Sequence, residues 1–563
     1  MSRFDWRSKR FRLGLLAVLA GVIIIVAAVY FLLGIPLRNA REEWMAGKSM
    51  DAVETLRPWS KLHLRSGDFD LEMAAAYLTA GSPHQAAPYL DALSRHSPFF
   101  FPEIRKWEVG EKLLAEGRYD SFLQYDRAVR ERFEPEATKL YRAAAALGTD
   151  KLATAKEVFD GIEESKVDPT KYAALKKSID DRANGSYPMV FDREGRPIAI
   201  WQMRNRDLVT IDTQFSPLID RSGGNQTIET ALSRIGGGST FNTTLDPAVQ
   251  NAALYALGGF RGSMVVIDVK RNEILAVASN PGTGAPANIA FEGFYEPGSV
   301  IKPLTALAAI DHGVDLGKIF PFQCGGFLTI DGKMFYDWAK HEKVENLNEA
   351  TAVSCNGAYG EIGMQLGRDE LLQFLHQAGF GANVTLGILK VPLGRIVGPI
   401  ESKYDVANLA IGLGHERINA LHLAMMAEMI ASEGKLRVPT LFTARRNVLG
   451  EPMPLPASVP PRQIASEGAD ARVEQAMEAV VVNPRGTGRR AAVSGVPIAM
   501  KTGTAGHREP GYSALIMAFA PAGDPRIAIG MIAENAGPAE IAGAKIAHDF
   551  FSQMAPRLET SGE

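Results

Sequence analysis

The sequence predicts a membrane-anchored, multidomain protein in which an all-α region precedes a mixed α/β domain. Three observations carry this: an uncharged apolar run at residues 13–35, a helical stretch at 40–185 with no sustained alternation, and strand-like segments at both ends of residues 241–556 with helical ones between. A chain of 563 residues, at roughly 100–200 per domain, has room for about three or four structural units. Hydrophobic residues at 46% and charged residues at 22% sit near the globular average, which excludes a disordered or fibrous chain. Lys+Arg 61 against Asp+Glu 64 leaves −3, so the basic footprint of a nucleic-acid binder is missing and no nucleic-acid partner is expected.

Residues 13–35 run 23 positions without a charge, longer than the roughly 18 that mark a spanning helix. A cleaved leader has a shorter apolar core and a small-residue cleavage site, whereas Tyr30, Phe31, Leu32 and Leu33 keep this run bulky. It therefore reads as a single-pass anchor of the cytoplasmic membrane. Arg3, Arg7, Lys9, Arg10 and Arg12 precede it against Asp5 alone, while Arg38 and Arg41 beyond it are offset by Glu42 and Glu43. The positive-inside rule then places residues 1–12 in the cytoplasm and exports the rest.

Between residues 40 and 185 the chain reads as helix after helix, and the helices look repeated. Gly81, Ala86, Leu90 and Pro98 recur in kind as Gly117, Leu123 and Pro135, then as Gly148, Ala155, Phe159 and Pro169, with Gly47, Ala52, Leu56 and Pro58 as an earlier copy. Ala52 to Ala86 and Pro135 to Pro169 are each 34 positions, the period of tetratricopeptide helix pairs. A generic helical bundle is the alternative. After Asn184-Gly185 the period changes: Met189-Val190-Phe191, the turn Asp192-Arg193-Glu194-Gly195 and Ile198-Ala199-Ile200-Trp201 read as strand, turn, strand, so residues 186–240 form a short β-containing linker.

The α/β domain opens with a helix at 247–257 and a hairpin of strands at 264–269 and 274–278. It closes with strands at 514–519 and 527–532 and a helix at 540–554, so that its two ends are expected to meet in one sheet.

Three short motifs in this domain carry chemistry. In Pro297-Gly298-Ser299-Val300-Ile301-Lys302, Ser299 sits on the first turn of an apolar helix at 303–310 and Lys302, three residues on, shares its face. A desolvated lysine loses its proton near neutral pH and can act as base for a serine. Ser354-Cys355-Asn356 follows 55 residues after Ser299; its hydroxyl can shuttle a proton and its carboxamide can hold a substrate amide. Lys501-Thr502-Gly503-Thr504 follows a strand-like segment at 496–500: Lys501 brings positive charge, Thr502 and Thr504 offer hydroxyls to a carboxylate, and Gly503 lets another backbone approach. Each motif alone also fits a cap, a turn or a solvated strand end. His415 and His507 lie near the motifs without the neighbours of a metal site, and no metal or organic cofactor is expected. Cys324 and Cys355, the two cysteines, exclude a disulfide scaffold and any four-cysteine site; whether they pair is open.

In this order, on helix, loop and strand, Ser-x-x-Lys, Ser-x-Asn and Lys-Thr-Gly form the signature of penicillin-recognising serine acyl enzymes. The chain resembles the penicillin-binding, β-lactamase-like transpeptidase domain of monofunctional class B penicillin-binding proteins. The likeness runs from Thr244-Leu245-Asp246-Pro247 through Val265-Val266-Ile267-Asp268 and Glu296-Pro297-Gly298-Ser299 to Phe519-Ala520-Pro521. Cys355 and Phe335-Tyr336-Asp337-Trp338 resemble the elongation-type, cell-shape branch, and Ile411-Gly412-Leu413-Gly414 with Leu421-His422-Leu423-Ala424 resembles the helix before the third motif. The usual pedestal is reduced to the segment around residues 192–195, with the helical region in its place. That region and the linker leave no room for a glycosyltransferase domain between 36 and 240.

The resemblance implies a peptidoglycan D,D-transpeptidase in which Ser299 is nucleophile, Lys302 base and Ser354 proton donor to the leaving amine. It implies that Asn356, Lys501, Thr502, Gly503 and Thr504 bind substrate and that the backbone N–H groups of Ser299 and Thr504 form the oxyanion hole. Stem peptides and β-lactams are the implied ligands, and a polymerising glycosyltransferase or other cell-wall assembly protein the implied partner. Three other readings compete. A D,D-carboxypeptidase shares the motifs. A serine β-lactamase lacks its base here, since Glu345-Asn346-Leu347-Asn348 lies before Ser354 and is one residue short of Glu-x-x-Leu-Asn. A membrane-anchored scaffold or sensor would use the helical region to bind partners.

Overall fold

The computed structural model describes residues 9–59, 66–95, 103–129, 136–235, 238–282, 287–507 and 511–558. They form two compact units, one made of the chain up to Asn184 with Gly236–Ser239 and Arg446–Pro454, the other of Gly185–Ile235, Thr240–Arg445 and Leu455–Glu563.

The first unit is helical. Its N-terminal helix, Lys9–Met45, is long and apolar enough to cross a membrane. It does not stop where the uncharged run stops: Leu33, Leu37, Ala40 and Trp44, at helical spacing, are buried in the core of this unit. Helices Ser49–Leu56, Ser66–Thr79, Pro83–Arg95, Glu103–Ala115, Tyr119–Val129, Glu136–Gly148, Leu152–Asp160 and Pro169–Ala183 follow. Four of the turns between them share one geometry. At Gly47, Gly81, Gly117 and Asp150 the backbone takes positive φ of 83°, 77°, 71° and 58°. In each, the next N–H reaches back to a carbonyl of the preceding helix, as in Ser82 N to Tyr77 O (2.8 Å) and Lys151 N to Ala146 O (2.8 Å), the closing bond of a Schellman turn.

The expected third copy is out of register by two residues. Gly148 lies inside a helix with the Tyr119 ring against it, 2.4 Å from where a Cβ would stand, and Asp150 makes the turn. Aspartate is among the few residues other than glycine that tolerate this conformation. Pro169 begins a helix capped by Asp168 rather than ending one. Pro98 and Pro135 lie outside the described residues. The core also takes in Val448 and Leu449 from the Arg446–Pro454 segment, some 260 residues downstream of the last helix of this unit.

The second unit is built on a five-stranded antiparallel sheet: β1 (Gly262–Asp268), β2 (Glu273–Asn280), β3 (Ala499–His507), β4 (Gly511–Ala520) and β5 (Ile527–Ala533), in the order β3-β4-β5-β1-β2. The two ends of the domain meet where β5 pairs with β1, Ile529 opposite Val266. Successive side chains enter different cores. Val265, Ile267, Leu515 and Met517 pack into the larger one, Met264, Val266, Ile516 and Ala518 into a second. The second core is closed by Pro247–Leu257, capped by Asp246, and by Ala544–Leu558. Both sheet faces are therefore covered, which is why β1 and β5 read as unbroken apolar runs. The linker strands Ser186–Phe191, Pro197–Gln202 and Asp207–Thr210 join Thr240–Thr243 and Phe442–Arg446 in a second sheet, so residues 185–235 fold with this unit.

The strand expected at 496–500 starts later. Pro497 has no N–H for a ladder, Val493 and Val496 form an isolated bridge, and β3 begins at Ala499. Lys501 to Thr504 lie within this edge strand, the strand position expected for the third motif, although the strand begins three residues later than 496.

Candidate active site

Ser299 lies in a single 3₁₀ turn, Gly298–Ile301, that leads into helix Lys302–Asp311. In 3₁₀ geometry residues three apart eclipse, which stacks Ser299 and Lys302 on one face. Lys302 is fully buried, and its side chain turns toward the second motif. Nζ donates to Ser354 O (2.7 Å), Ser354 Oγ (3.2 Å) and Asn356 Oδ1 (2.8 Å) and lies 5.4 Å from the centroid of the Tyr359 ring. Three acceptors match the three protons of an ammonium group. Burial pulls its pKa down to about 8, with the Asp337 carboxylate opposing.

Ser354 stands between helices Leu347–Ala352 and Asn356–Leu366 with φ +56°, a left-handed conformation that costs roughly 1–2 kcal/mol for a residue bearing a Cβ. The bend aims its carbonyl at Lys302 and sets its hydroxyl between two amines, since Lys501 Nζ lies 2.9 Å from Ser354 Oγ on the other side. Lys501 is likewise fully buried, and both desolvation and the charge on Lys302 push its pKa down. Two buried amines share one hydroxyl, so protonating both at once is disfavoured.

The edge of β3 meets the Ser299 turn backbone to backbone. A Cβ on Gly503 would fall 2.8 Å from Pro297 O and Val300 Cγ1, and one on Gly412 would fall 2.2 Å from Gly298 O, so only glycine permits either contact. Thr504 O reaches within 2.8 Å of the Cβ position of Gly298. In an antiparallel strand a residue's N–H and C=O point the same way, so the Thr504 N–H also faces the turn. The two threonines differ. Thr502 Oγ1 is buried 2.7 Å from Thr487 Oγ1, which itself reaches Ala352 O (3.3 Å). Thr504 is half-buried, accepts from Ala539 N (2.9 Å) and, among the described residues, donates its own hydroxyl proton to none.

The fold thus brings Lys302, Ser354, Asn356 and Lys501 into direct contact, while Ser299, on the turn that leads into Lys302, makes no side-chain hydrogen bond among the described residues, and Thr504 lies against that turn. Sequence reasoning gave no role to Thr487, Tyr359 or Asp337. The Asp337 carboxylate accepts from Cys355 Sγ (3.2 Å), Cys324 Sγ (3.4 Å) and Gly357 N (3.0 Å), and His341 Nε2 lies 3.3 Å away; these bonds tie down the Ser354 loop. Cys324 and Cys355 are free, buried thiols, and burial together with Asp337 pushes the Cys355 thiol up, away from the reactive thiolate. The two sulfurs and the carboxylate lie within 4.8 Å of one another, joined as thiol-to-carboxylate hydrogen bonds. Glu345 is exposed and its carboxylate pairs with Lys343 (2.8 Å) instead of reaching the site. His415 bonds Val397 O (3.3 Å), and the side chain of His507 lies outside the described residues.

The sequence model of the penicillin binding protein transpeptidase domain matches residues 262–555, which is more than half of the chain. The chain belongs to the penicillin-binding transpeptidase family. Its transpeptidase-family domain is similar to the peptidoglycan D,D-transpeptidase MrdA of Acinetobacter baumannii, 29% identical over 347 residues, covering 53% of this chain and 51% of the relative. It is also similar to the peptidoglycan D,D-transpeptidase FtsI of Escherichia coli K12, 25% identical over 315 residues, covering 52% and 50%. The chain spans about half the length of such curated relatives, 51% of MrdA and 50% of FtsI. Among solved structures, the D,D-transpeptidase domain of a peptidoglycan glycosyltransferase from Eggerthella lenta shares the fold at TM-score 0.59 and 24% identity, over 66% of this chain and 99% of that one.

Proposed function

We propose that this chain is a membrane-anchored serine D,D-transpeptidase that cross-links peptidoglycan stem peptides. One observation carries the reading: Ser354 Oγ bridges the amines of Lys302 and Lys501 at the foot of the Ser299 turn. Such a bridge moves protons between a nucleophile and a leaving group. Lys302, once neutral, takes the Ser299 proton as Oγ attacks the carbonyl between two D-alanines. The backbone N–H groups of Ser299 and Thr504 meet the oxyanion. Ser354 passes a proton to the departing amine of D-alanine and is reprotonated through the lysine pair. Thr504, whose hydroxyl proton is free, and the charge of Lys501 receive the terminal carboxylate; Thr502 contributes through Thr487 by fixing the strand. Asn356 holds the acyl-side amide. An amine from a second stem peptide then takes the acyl group.

The same site accounts for β-lactams as ligands, as in penicillin-binding protein 3 of Mycobacterium tuberculosis complexed with aztreonam. The positive flank of the N-terminal helix supports a cytoplasmic N-terminus at 1–12, a span at 13–35 and an exported catalytic domain at 241–556. The four like turns at Gly47, Gly81, Gly117 and Asp150, spaced 34, 36 and 33 residues, support a tetratricopeptide-like region at 40–185 that binds a cell-wall assembly partner such as a glycosyltransferase. The linker at 186–240 then stands where the family has a larger pedestal.

The test is a product assay. Full-length protein in detergent, given a pentapeptide donor and an amine acceptor, is expected to release D-alanine and yield the cross-linked peptide by mass spectrometry. Release of D-alanine with hydrolysed tetrapeptide alone would assign a carboxypeptidase instead.

A further inference from the structure

A cleft of about 480 Å³ opens beside the motif strand, walled by Trp338, Arg485, Thr487, Arg489, Arg490 and Glu540. Its size falls in the range that takes a small ligand, roughly 300–1,000 Å³. Two of its walls are bonded to β3: Thr487 Oγ1 lies 2.7 Å from Thr502 Oγ1, and Ala539, next to Glu540, donates to Thr504 Oγ1 at 2.9 Å. Three arginines and one glutamate line it, and the arginines are not equivalent. Arg485 is matched, with Nη1 3.0 Å from Glu349 Oε1 and Nη2 2.7 Å from His341 O. Arg489 and Arg490 are exposed and each gives one N–H to a carbonyl, Pro484 O (2.9 Å) and Glu540 O (3.2 Å); among the described residues neither has an ion-pair partner. Trp338 is 53% exposed with its Nε1 fixed on Val353 O, so an indole face forms the apolar wall.

We propose that this cleft seats the amine acceptor, and that Arg489 and Arg490 select acceptors carrying a carboxylate near the attacking amine. The proposal rests on the acyltransferase reading of the site. In that reaction D-alanine departs on the side where β3 receives its carboxylate. The amine that replaces it rebuilds the same kind of amide in reverse and so enters on the same side. Its nitrogen attacks the acyl carbon of the Ser299 ester; the C–N bond forms, the C–Oγ bond breaks, and the proton lost by the amine returns to Ser299 Oγ through Ser354 and the lysine pair. An acceptor shaped like the departing D-alanine, an amine with a carboxylate close by, needs cationic donors beyond Thr504, and the two unmatched guanidiniums stand there. Arginine forks suit carboxylates in two-point contact.

The experiment measures acyl transfer from a pentapeptide donor to a D-amino acid and to its carboxamide, with full-length protein in detergent, for wild type and for Arg489→Ala/Arg490→Ala. Penicillin labelling of each protein reports the catalytic centre separately. Wild type is expected to prefer the carboxylate acceptor over the carboxamide by roughly tenfold in half-saturating concentration, the factor that about 1.4 kcal/mol represents, and the double variant to lose that preference. Arg489→Lys/Arg490→Lys, which keeps the charge, is expected to retain most of it and replaces the alanine pair if that fails to fold. Equal use of both acceptors by wild type, or a preference that survives the alanine pair, overturns the proposal. So does labelling by penicillin without transfer to either amine, whereas no labelling of wild type removes the acyl-enzyme reading and the proposal with it.

Discussion

The pH dependence of acylation follows from the burial of Lys302. A lysine in water holds its proton to about 10.4, and a buried one gives it up earlier because the low dielectric disfavours the charged form. Here the shift is to about 8. Ser299 needs the neutral amine, so the acylation rate constant tracks the deprotonated fraction and rises with pH. That fraction is about 1% at pH 6, about 9% at pH 7 and half at pH 8, by the ordinary titration relation. Rates of penicillin acylation from stopped-flow quenching should therefore climb about tenfold from pH 6 to 7, about fivefold from 7 to 8, and only about twofold beyond. Lys302→Arg keeps the positive charge but cannot deprotonate, and should lower the rate by roughly 10² to 10⁴. A rate still rising tenfold per pH unit at pH 9.5, as an ordinary lysine would give, contradicts a desolvated base. A flat profile from pH 6 to 9 contradicts Lys302 as the base altogether.

Three structural contacts can be tested alongside. In Gly503→Ala the new methyl meets Pro297 O and Val300 Cγ1 at 2.8 Å and should push the Ser299 turn off the strand. A displacement near 1 Å is expected to cost about 100-fold in acylation, with a smaller change in melting temperature. Thr487→Val leaves the buried Thr502 hydroxyl without its 2.7 Å partner; a loss of about 1–3 kcal/mol by urea denaturation is expected, and an unchanged midpoint would count against that bond. In the helical unit, Arg142 grips Asp126 through two bonds of 2.8 and 2.9 Å with both side chains largely buried. Asp126→Asn should cost about 2 kcal/mol there, the range of a hydrogen bond to a charged group, read by hydrogen exchange of helices Tyr119–Val129 and Glu136–Gly148, and leave exchange in β1 to β5 unaltered.

The motif residues were legible because their chemistry is local. Ser299 and Lys302 share one turn, Ser354 and Asn356 one loop, and Lys501 to Thr504 one strand. The order of these pieces identified the domain. What supports them was not legible, because it arrives from far away in the chain: Thr487 reaches Thr502 from a different segment, and Asp337 holds the Ser354 loop from another. Asp337 had a visible signal, the Phe335-Tyr336-Asp337-Trp338 motif, but spacing alone gave it no task. The late start of β3 was readable in principle, since Pro497 cannot join a ladder. In the helical unit three of the recurring glycines sit in like turns, whereas the fourth turn is made by Asp150 and not by Gly148, in a conformation usually left to glycine. The Arg446–Pro454 segment carries two core residues with no periodicity to announce them, Val448 and Leu449. The N-terminal helix extends past its uncharged run because Leu37, Ala40 and Trp44 continue an apolar stripe among charged residues.

The claim at the centre is that Ser299 forms a covalent acyl-enzyme within the network of Lys302, Ser354 and Lys501. It is tested most directly by in-gel labelling of the full-length protein with a fluorescent penicillin, beside Ser299→Ala and Lys302→Ala. A covalent band in wild type, absent from Ser299→Ala and slowed severely in Lys302→Ala, is the expected result. A band that persists in Ser299→Ala, or none in folded wild type, contradicts it.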